Sequence, residues 1–296
     1  REQDIDKFSH AIFWFVKAFL AFMIRRRKFF ARGKGIVIIH GDTLSTLLGL
    51  LVSRFFGMKV VHIESGLRSR SLLNPFPEEI IRILACRFSH YLFAPSHAAY
   101  ENLKGYKALQ FNSEGNTIFD AISFVDDMGR PPLIDIPYCV CTIHRSELLL
   151  REDHLRIALF ALYQAASFIK VIFVVHKATL KRLRALGELD VMKKNQNIIL
   201  REYYDYPSFM ALVKNADFVM TDGGGLQEET FLLNIPCLIL RKRTERDYGL
   251  NSTALLSEMK KERIDYFLKN YRTFHRRDYK RPHPSRLIVE KLSDLL

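Results

Sequence analysis

Short apolar runs alternate with helical patterns from residue 36 onward, and this alternation limits the possible folds more than any other feature of the chain. Ile36–His40, Val60–Ile63 and Tyr91–Ala94 are β-branched or apolar and predict strands, while Thr43–Phe55 and Glu78–Phe88 carry helical spacing. A strand–helix–strand rhythm is that of an α/β fold. The strands are apolar throughout, so the sheet is expected to be parallel and covered on both faces. Its ligands would then sit beyond the carboxyl ends of the strands.

A second set of the same kind follows. Tyr138–Thr142, Val171–Val175, Ile198–Leu200, Phe218–Thr221 and Cys237–Leu240 predict strands, with helices at Asp153–Ser167, Leu180–Leu186 and Tyr206–Asn215. Between the two sets, Asp126–Pro137 contains Gly129-Arg130-Pro131-Pro132 and predicts a linker. The expected organisation is an N-terminal Rossmann-like domain over residues 1–125, a second over 126–285 and a C-terminal helix over 286–296, with a cleft between the domains. A chain of 296 residues with 48% apolar and 26% charged side chains can bury two such cores.

Charge and cysteine usage narrow the partners. The net charge of +13 favours an anionic partner. Basic clusters at Arg25–Lys28, Arg241–Arg243 and Arg276–Arg277 have no interleaved aromatic nucleic-acid motif around them, so no nucleic acid is expected. Cys86, Cys139, Cys141 and Cys237 lie in apolar runs without C-x-x-C spacing, which disfavours zinc and a redox dithiol and fits a reduced, cytoplasmic setting. Cys139 and Cys141 should share one face of their strand as small buried hydrophobes. Ala11–Ile24 is apolar nearly all round and shorter than the roughly 20 residues of a bilayer span. It predicts a buried helix, with weak contact between residues 11–28 and an acidic membrane as the alternative.

Polar residues just after the strands are the candidates for chemistry. Thr221-Asp222-Gly223-Gly224-Gly225 leads from a strand into a helix, and its glycines bring backbone amides to a helix N-terminus, where an anion is favoured. Glu228 and Glu229 follow one turn later. Asp42 and Thr43 end the first strand and suit a helix cap; Glu64 ends the next, and Glu78 and Glu79 open a helix after Pro77. Several acids at one sheet edge can divide general acid and general base roles. His144, Arg145 and His176 follow strands of the second set, and Arg246 closes a basic segment suited to a diphosphate.

In order along the chain, His40-Gly41-Asp42-Thr43, Glu64-Ser65-Gly66-Leu67-Arg68, Pro77-Glu78-Glu79, Gly115-Asn116-Thr117, His144-Arg145-Ser146-Glu147, Thr221–Glu229 and Thr244-Glu245-Arg246 resemble the motifs of the non-hydrolysing UDP-N-acetylglucosamine 2-epimerase family. The resemblance implies two Rossmann-like domains of the glycosyltransferase-B type. It also implies conversion of UDP-N-acetylglucosamine to UDP-N-acetylmannosamine, through elimination of UDP to 2-acetamidoglucal and re-addition, for surface polysaccharide or glycoconjugate precursors. No cofactor or metal is implied, and a homodimer is expected. By the same resemblance Asp42, Glu64 and Glu78 move protons, and His144 stabilises or protonates the leaving diphosphate. Gly223, Gly224 and Gly225 hold that diphosphate on their amides, Glu229 binds the ribose, and Arg145, His176 and Arg246 complete the substrate contacts. The sequence departs from the family at Gly223 (family serine), Ile143 (family glycine) and Asp247 (family proline), and His176 lacks the family's following Asn-Pro. The family's opening strand and its G-T-R-P-E loop have no counterpart before Asp42, which implies an incomplete N-terminal domain. A hydrolysing relative releasing free sugar, and an inactive UDP-sugar-binding remnant, are the alternatives.

Overall fold

The computed structural model describes residues 8–25, 35–71, 76–127, 134, 136–202, 204–276, 279 and 281–295. The chain divides into two compact units, unit 1 of residues 1–117 and 283–296 and unit 2 of residues 118–282. Most of the expected linker, and the basic residues Arg26–Lys28, lie outside the described residues.

Unit 1 holds a parallel four-stranded sheet in the order β1 (Ile36–His40), β2 (Lys59–Ile63), β3 (Tyr91–Ala94), β4 (Leu109–Asn112). The strands step across the sheet in sequence order, so right-handed crossovers place the connecting helices on one face. On that face Val37, Ile39 and Val60 meet Leu47 and Leu50 of α2 (Leu44–Phe55) and Ala85 of α3 (Glu78–Phe88). Further along, Leu92 and Ala94 pack with Ala99 of α4 (His97–Glu101). The opposite face is covered by the C-terminal helix (Pro284–Leu295), whose Ile288 and Leu292 pack against Val61, Tyr91 and Phe93. The tail, expected as a separate element, is thus an integral layer of unit 1. The helix α1 (Phe8–Ile24) lies against α2.

Unit 2 begins with α5 (Ile118–Asp127), whose Phe119 and Ile122 pack on Phe231 and Leu232. That packing, invisible in the local sequence pattern, sets the division before the proline-rich stretch. Its six parallel strands are β5 (Tyr138–Ile143), β6 (Lys170–Val175), β7 (Ile198–Arg201), β8 (Phe218–Thr221), β9 (Cys237–Ile239) and β10 (Ala254–Leu256), in the order β10-β9-β8-β5-β6-β7. This is the doubly wound arrangement, with its switch point between β5 and β8. Each face of β5 enters a separate core: Cys139 and Cys141 one side, Tyr138 and Val140 the other. All four cysteines are buried and free.

Candidate active site

In unit 1 the carboxyl ends of β1 and β2 carry two carboxylates on adjacent turns. Asp42 does not cap α2; Thr43 does, accepting from the Thr46 amide. Asp42 instead receives the buried Arg82 guanidinium, at 2.8 Å from Nε and 2.6 Å from Nη2. The same guanidinium donates to Glu79 at 3.1 Å, and Glu79 also accepts from the backbone amide and hydroxyl of Ser69. Arg82 therefore ties the β1 turn, the start of α3 and the Leu67–Ser71 segment together. A buried charge left without a counter-ion is costly, so the three groups hold one another in place.

Glu64 stands beside this network with its backbone in the left-handed region, φ 64°. Its Oε1 accepts from Asn116 at 2.8 Å and its Oε2 lies 3.7 Å from His40 Nδ1. The His40 Nε2 is 3.3 Å from the Thr117 hydroxyl. Gly115-Asn116-Thr117, noted in the sequence only as a motif, thus supplies two groups that orient Glu64 and His40. Beneath them, fully buried His62 bonds the Gly41 carbonyl through Nε2 at 2.9 Å, and burial pushes its pKa down to about 4. Glu78 opens α3 half-buried, its Oε2 out of contact with water and without a hydrogen-bond partner among the described residues. Of the adjacent pair, Glu79 rather than Glu78 enters the Asp42 network, a distinction the sequence does not show.

In unit 2 the candidate residues follow β5, β6, β8 and β9, around the switch point. Asp222 is fully buried and was not singled out from the sequence. Its carboxylate accepts the backbone amides of His144 at 3.0 Å and Arg145 at 2.9 Å, and its other oxygen lies 3.2 Å from His144 Nδ1. Nδ1 donates there, leaving Nε2 directed elsewhere. A Cβ added to Gly223 would lie 3.0 Å from His144 Cε1, so the absence of a side chain lets the imidazole rest on the glycine turn. The His176 ring is 4.9 Å from that of His144; burial and then the neighbouring His144 charge lower the His176 pKa.

The helix α6 (Gly224–Leu233) starts at this turn. The Gly223 amide is donated to Thr221 Oγ1, and the amides of Gly224, Gly225 and Leu226, the first turn of the helix, have no acceptor among the described residues. Space over Gly225 is open, and Arg246 lies over Gly224. Arg246 pairs with buried Glu228 at 2.8 Å, and Gln227 accepts from Thr244 while donating to the Arg246 and Tyr248 carbonyls, fixing the Thr244–Tyr248 segment on α6. Arg145 lies among Glu147 and Glu245, which also bracket buried Arg241. Glu229 is buried and accepts from the Tyr206 hydroxyl at 2.8 Å; burial raises its pKa to about 7. Two cationic side chains and three open amides so gather at one helix N-terminus, with a neutral-range carboxylate further along the helix, an arrangement suited to a diphosphate and a polyol. No group of three or more His, Cys, Asp or Glu that could hold a metal ion occurs among the described residues.

The sequence profile of the UDP-N-acetylglucosamine 2-epimerase family matches residues 21–293. The UDP-N-acetylglucosamine 2-epimerase of Methanocaldococcus jannaschii is 35% identical over 225 residues, 71% of this chain and 61% of that protein; the Escherichia coli enzyme of that name is 30% identical over 250 residues, 77% of this chain and 65% of that protein. The chain therefore spans less than two thirds of the length of these curated relatives. Among solved structures, the M. jannaschii enzyme in complex with UDP-GlcNAc and UDP superposes with a TM-score of 0.78 at 28% identity, covering 95% of this chain and 79% of that one. The Neisseria meningitidis UDP-GlcNAc 2-epimerase bound to UDP-GlcNAc gives 0.82 at 25% identity, covering 93% and 80%. With the parallel sheets and the motif residues at their carboxyl ends, these matches show that the chain belongs to the UDP-N-acetylglucosamine 2-epimerase family.

Proposed function

We propose that this chain converts UDP-N-acetylglucosamine to UDP-N-acetylmannosamine, by eliminating UDP to 2-acetamidoglucal and re-adding it. The observation that carries this reading is the pair of carboxylates, Asp42 and Glu64, held on adjacent strand turns of unit 1 by Arg82 on one side and Asn116 on the other. The C2 proton of the sugar is not acidic in the ground state, so the C1–O bond must stretch first. Its electron pair leaves with the diphosphate, a carboxylate takes the C2 proton, and the C1–C2 double bond forms. Re-addition of UDP at C1 with proton return on the other face of C2 inverts that carbon, which requires proton-transfer groups on both faces. Asp42, Glu64 and Glu78 are the groups of unit 1 assigned to these transfers.

The unit 2 residues are assigned to the nucleotide. The Gly224 and Gly225 amides, Arg145 and Arg246 bind the diphosphate, and His144, oriented by Asp222, stabilises the charge that develops as UDP departs. His176 supports His144, and Glu229 accepts the ribose hydroxyls. The chain acts as a homodimer in the cytoplasm and needs no cofactor.

The test is incubation with UDP-N-acetylglucosamine in deuterium oxide, followed by NMR. Deuterium at C2 together with UDP-N-acetylmannosamine is expected. Free sugar plus UDP would make the chain a hydrolase, and UDP binding without turnover would make it a binding protein. Glu64→Gln should lower C2 exchange by two orders of magnitude or more, roughly the contribution of a general acid or base, while UDP affinity stays within about twofold. Undiminished exchange removes Glu64 from the mechanism.

A further inference from the structure

Fully buried His62 stands in β2 after Val60 and Val61, where an aliphatic side chain would fill the space without taking two ring nitrogens out of water. Burial keeps the ring neutral, with one N–H to donate and one lone pair to fill. Both are used. Nε2 bonds the Gly41 carbonyl at 2.9 Å, and Nδ1 lies 3.9 Å from the Cys86 sulfur. A carbonyl only accepts, so Nε2 carries the proton and Nδ1 accepts from the Cys86 thiol.

The Gly41 carbonyl belongs to the turn that carries Asp42. The β1–β2 ladder ends at the pair His40 and Ile63, and the Gly41 amide adds one last bond to the Ile63 carbonyl at 3.1 Å. Beyond it the His62 side chain takes over from the ladder and pins the next peptide group, between Gly41 and Asp42. Gly41 has φ 66°, and a Cβ there would lie 3.1 Å from Glu64 Oε2, so the turn passes close against the Glu64 carboxylate. From the other side Arg82 holds the Asp42 carboxylate. Arg82 and Cys86 lie one turn apart on α3, and Glu78 opens that helix one turn earlier. Asp42, Arg82, α3, Cys86, His62 and Gly41 therefore form a closed ring of contacts.

We propose that His62 is a positioning residue for the C2 proton transfers, fixing the β1 turn so that Asp42 stands at a set distance from Glu64, which follows β2 directly. The role rests on the epimerase reading, since proton transfer at one carbon needs both carboxylates within about 0.5 Å of their working positions. Without the imidazole the Gly41 carbonyl turns to water, and a glycine turn, with the widest backbone freedom of any residue, drifts. The carboxylate of Asp42 then pivots on Arg82 and leaves its place opposite Glu64. Cys86 holds the ring at its second nitrogen and so keeps the donor aimed at Gly41.

The test follows deuterium entry at C2 of UDP-N-acetylglucosamine in deuterium oxide, with the whole chain and two variants. His62→Leu removes the N–H at similar volume and should lower kcat by roughly tenfold to a hundredfold, the effect of an ångström-scale misplacement. KM should stay within about twofold, since the lost interaction serves the transition state alone. His62→Gln, whose amide places an N–H where Nε2 stood, should recover kcat to within about threefold of the unaltered chain. Circular dichroism and thermal melts fix an assay temperature at which both variants are folded. NMR of the chain carrying isotope-labelled histidine should show a neutral ring protonated at Nε2 that is missing from His62→Gln. A purely structural histidine would lower the melting temperature of His62→Leu and leave kcat of the folded chain unchanged, which overturns the proposal. So do equal losses of kcat in both variants, or a His62 protonated at Nδ1. These outcomes remove the role and leave the epimerase reading standing. No deuterium entry with the unaltered chain removes that reading and the role with it.

Discussion

At the scale of the residue, Asp222 decides how unit 2 presents its candidate groups. One buried carboxylate fixes two backbone amides and one imidazole nitrogen. Asp222→Asn is nearly isosteric but turns an N–H group toward donors, leaving a buried amide unsatisfied. Equilibrium denaturation should show a loss of about 1–3 kcal/mol, and titration with UDP a weaker affinity. His144→Ala removes one partner of the buried carboxylate but leaves its two backbone amides, so it should cost less than Asp222→Asn, no more than about 1 kcal/mol, while still weakening UDP binding. Equal destabilisation by both variants would refute the positioning role. Asp222 was legible only as part of a glycine turn after a strand, because its partners are 77 and 78 residues away in sequence. Arg82 was hidden for the same reason: on its own helix it reads as an ordinary i+3 partner of Glu79, and only the fold brings Asp42 to it.

At the scale of the element, the strands and long helices were legible and the close approaches were not. The turn after β2 passes against α4 so tightly that a Cβ on Gly66 would lie 2.1 Å from the Ala99 carbonyl oxygen, at φ 83°. Gly105, at φ 94°, has open space around it. Gly105→Ala should cost only the left-handed backbone penalty, about 1–2 kcal/mol. Gly66→Ala must also push two backbone segments apart and should cost at least about 2 kcal/mol more; thermal melts of the two variants test the difference, and similar melting temperatures would refute it. The elements absent from the sequence reading have weak local signals. β4 is four residues long, only half-buried and contains Gln110 and Asn112. The helix Lys261–Asn270 buries Ile264, Phe267 and Leu268 within a strongly charged stretch, so its apolar stripe is narrow.

At the scale of the whole molecule, one buried group in each unit carries an opposite pH dependence. His62, in unit 1, ionises at about 4 in the fold against an ordinary 6.5. Between those values the unfolded chain binds more protons, so stability from His62 is full above 6.5 and is lost as pH falls. Glu229, in unit 2, ionises at about 7 against an ordinary 4.5. There the folded state binds more protons, so its contribution declines as pH rises from 4.5 to 7. Each effect is on the order of 3 kcal/mol at most. Hydrogen exchange, corrected for intrinsic rates, should show His62→Gln reducing the protection that unit 1 gains as pH rises through this range, and Glu229→Gln restoring the protection that its carboxylate costs unit 2, where the lowered pKa values of His176 and His154 act in the opposite sense. A variant that leaves the pH response of its own unit unchanged would contradict the assignment. If Glu229 accepts the ribose hydroxyls as a carboxylate, UDP affinity should rise as pH passes about 7.

The sequence by itself determined the parallel α/β class, the strand ends where polar residues could act and the motif order that marks the family. Those features are local: a strand's apolar run, a helix's spacing and a glycine turn are set by neighbours along the chain. Tertiary structure alone decided that Arg82 joins Asp42 to Glu79, that Asn116 and His40 orient Glu64, and that Asp222 clamps His144. Burial, ion pairing and hydrogen-bond direction depend on groups far apart in sequence, and a parallel sheet, whose crossovers separate neighbouring strands by long connections, brings such groups together only when it folds.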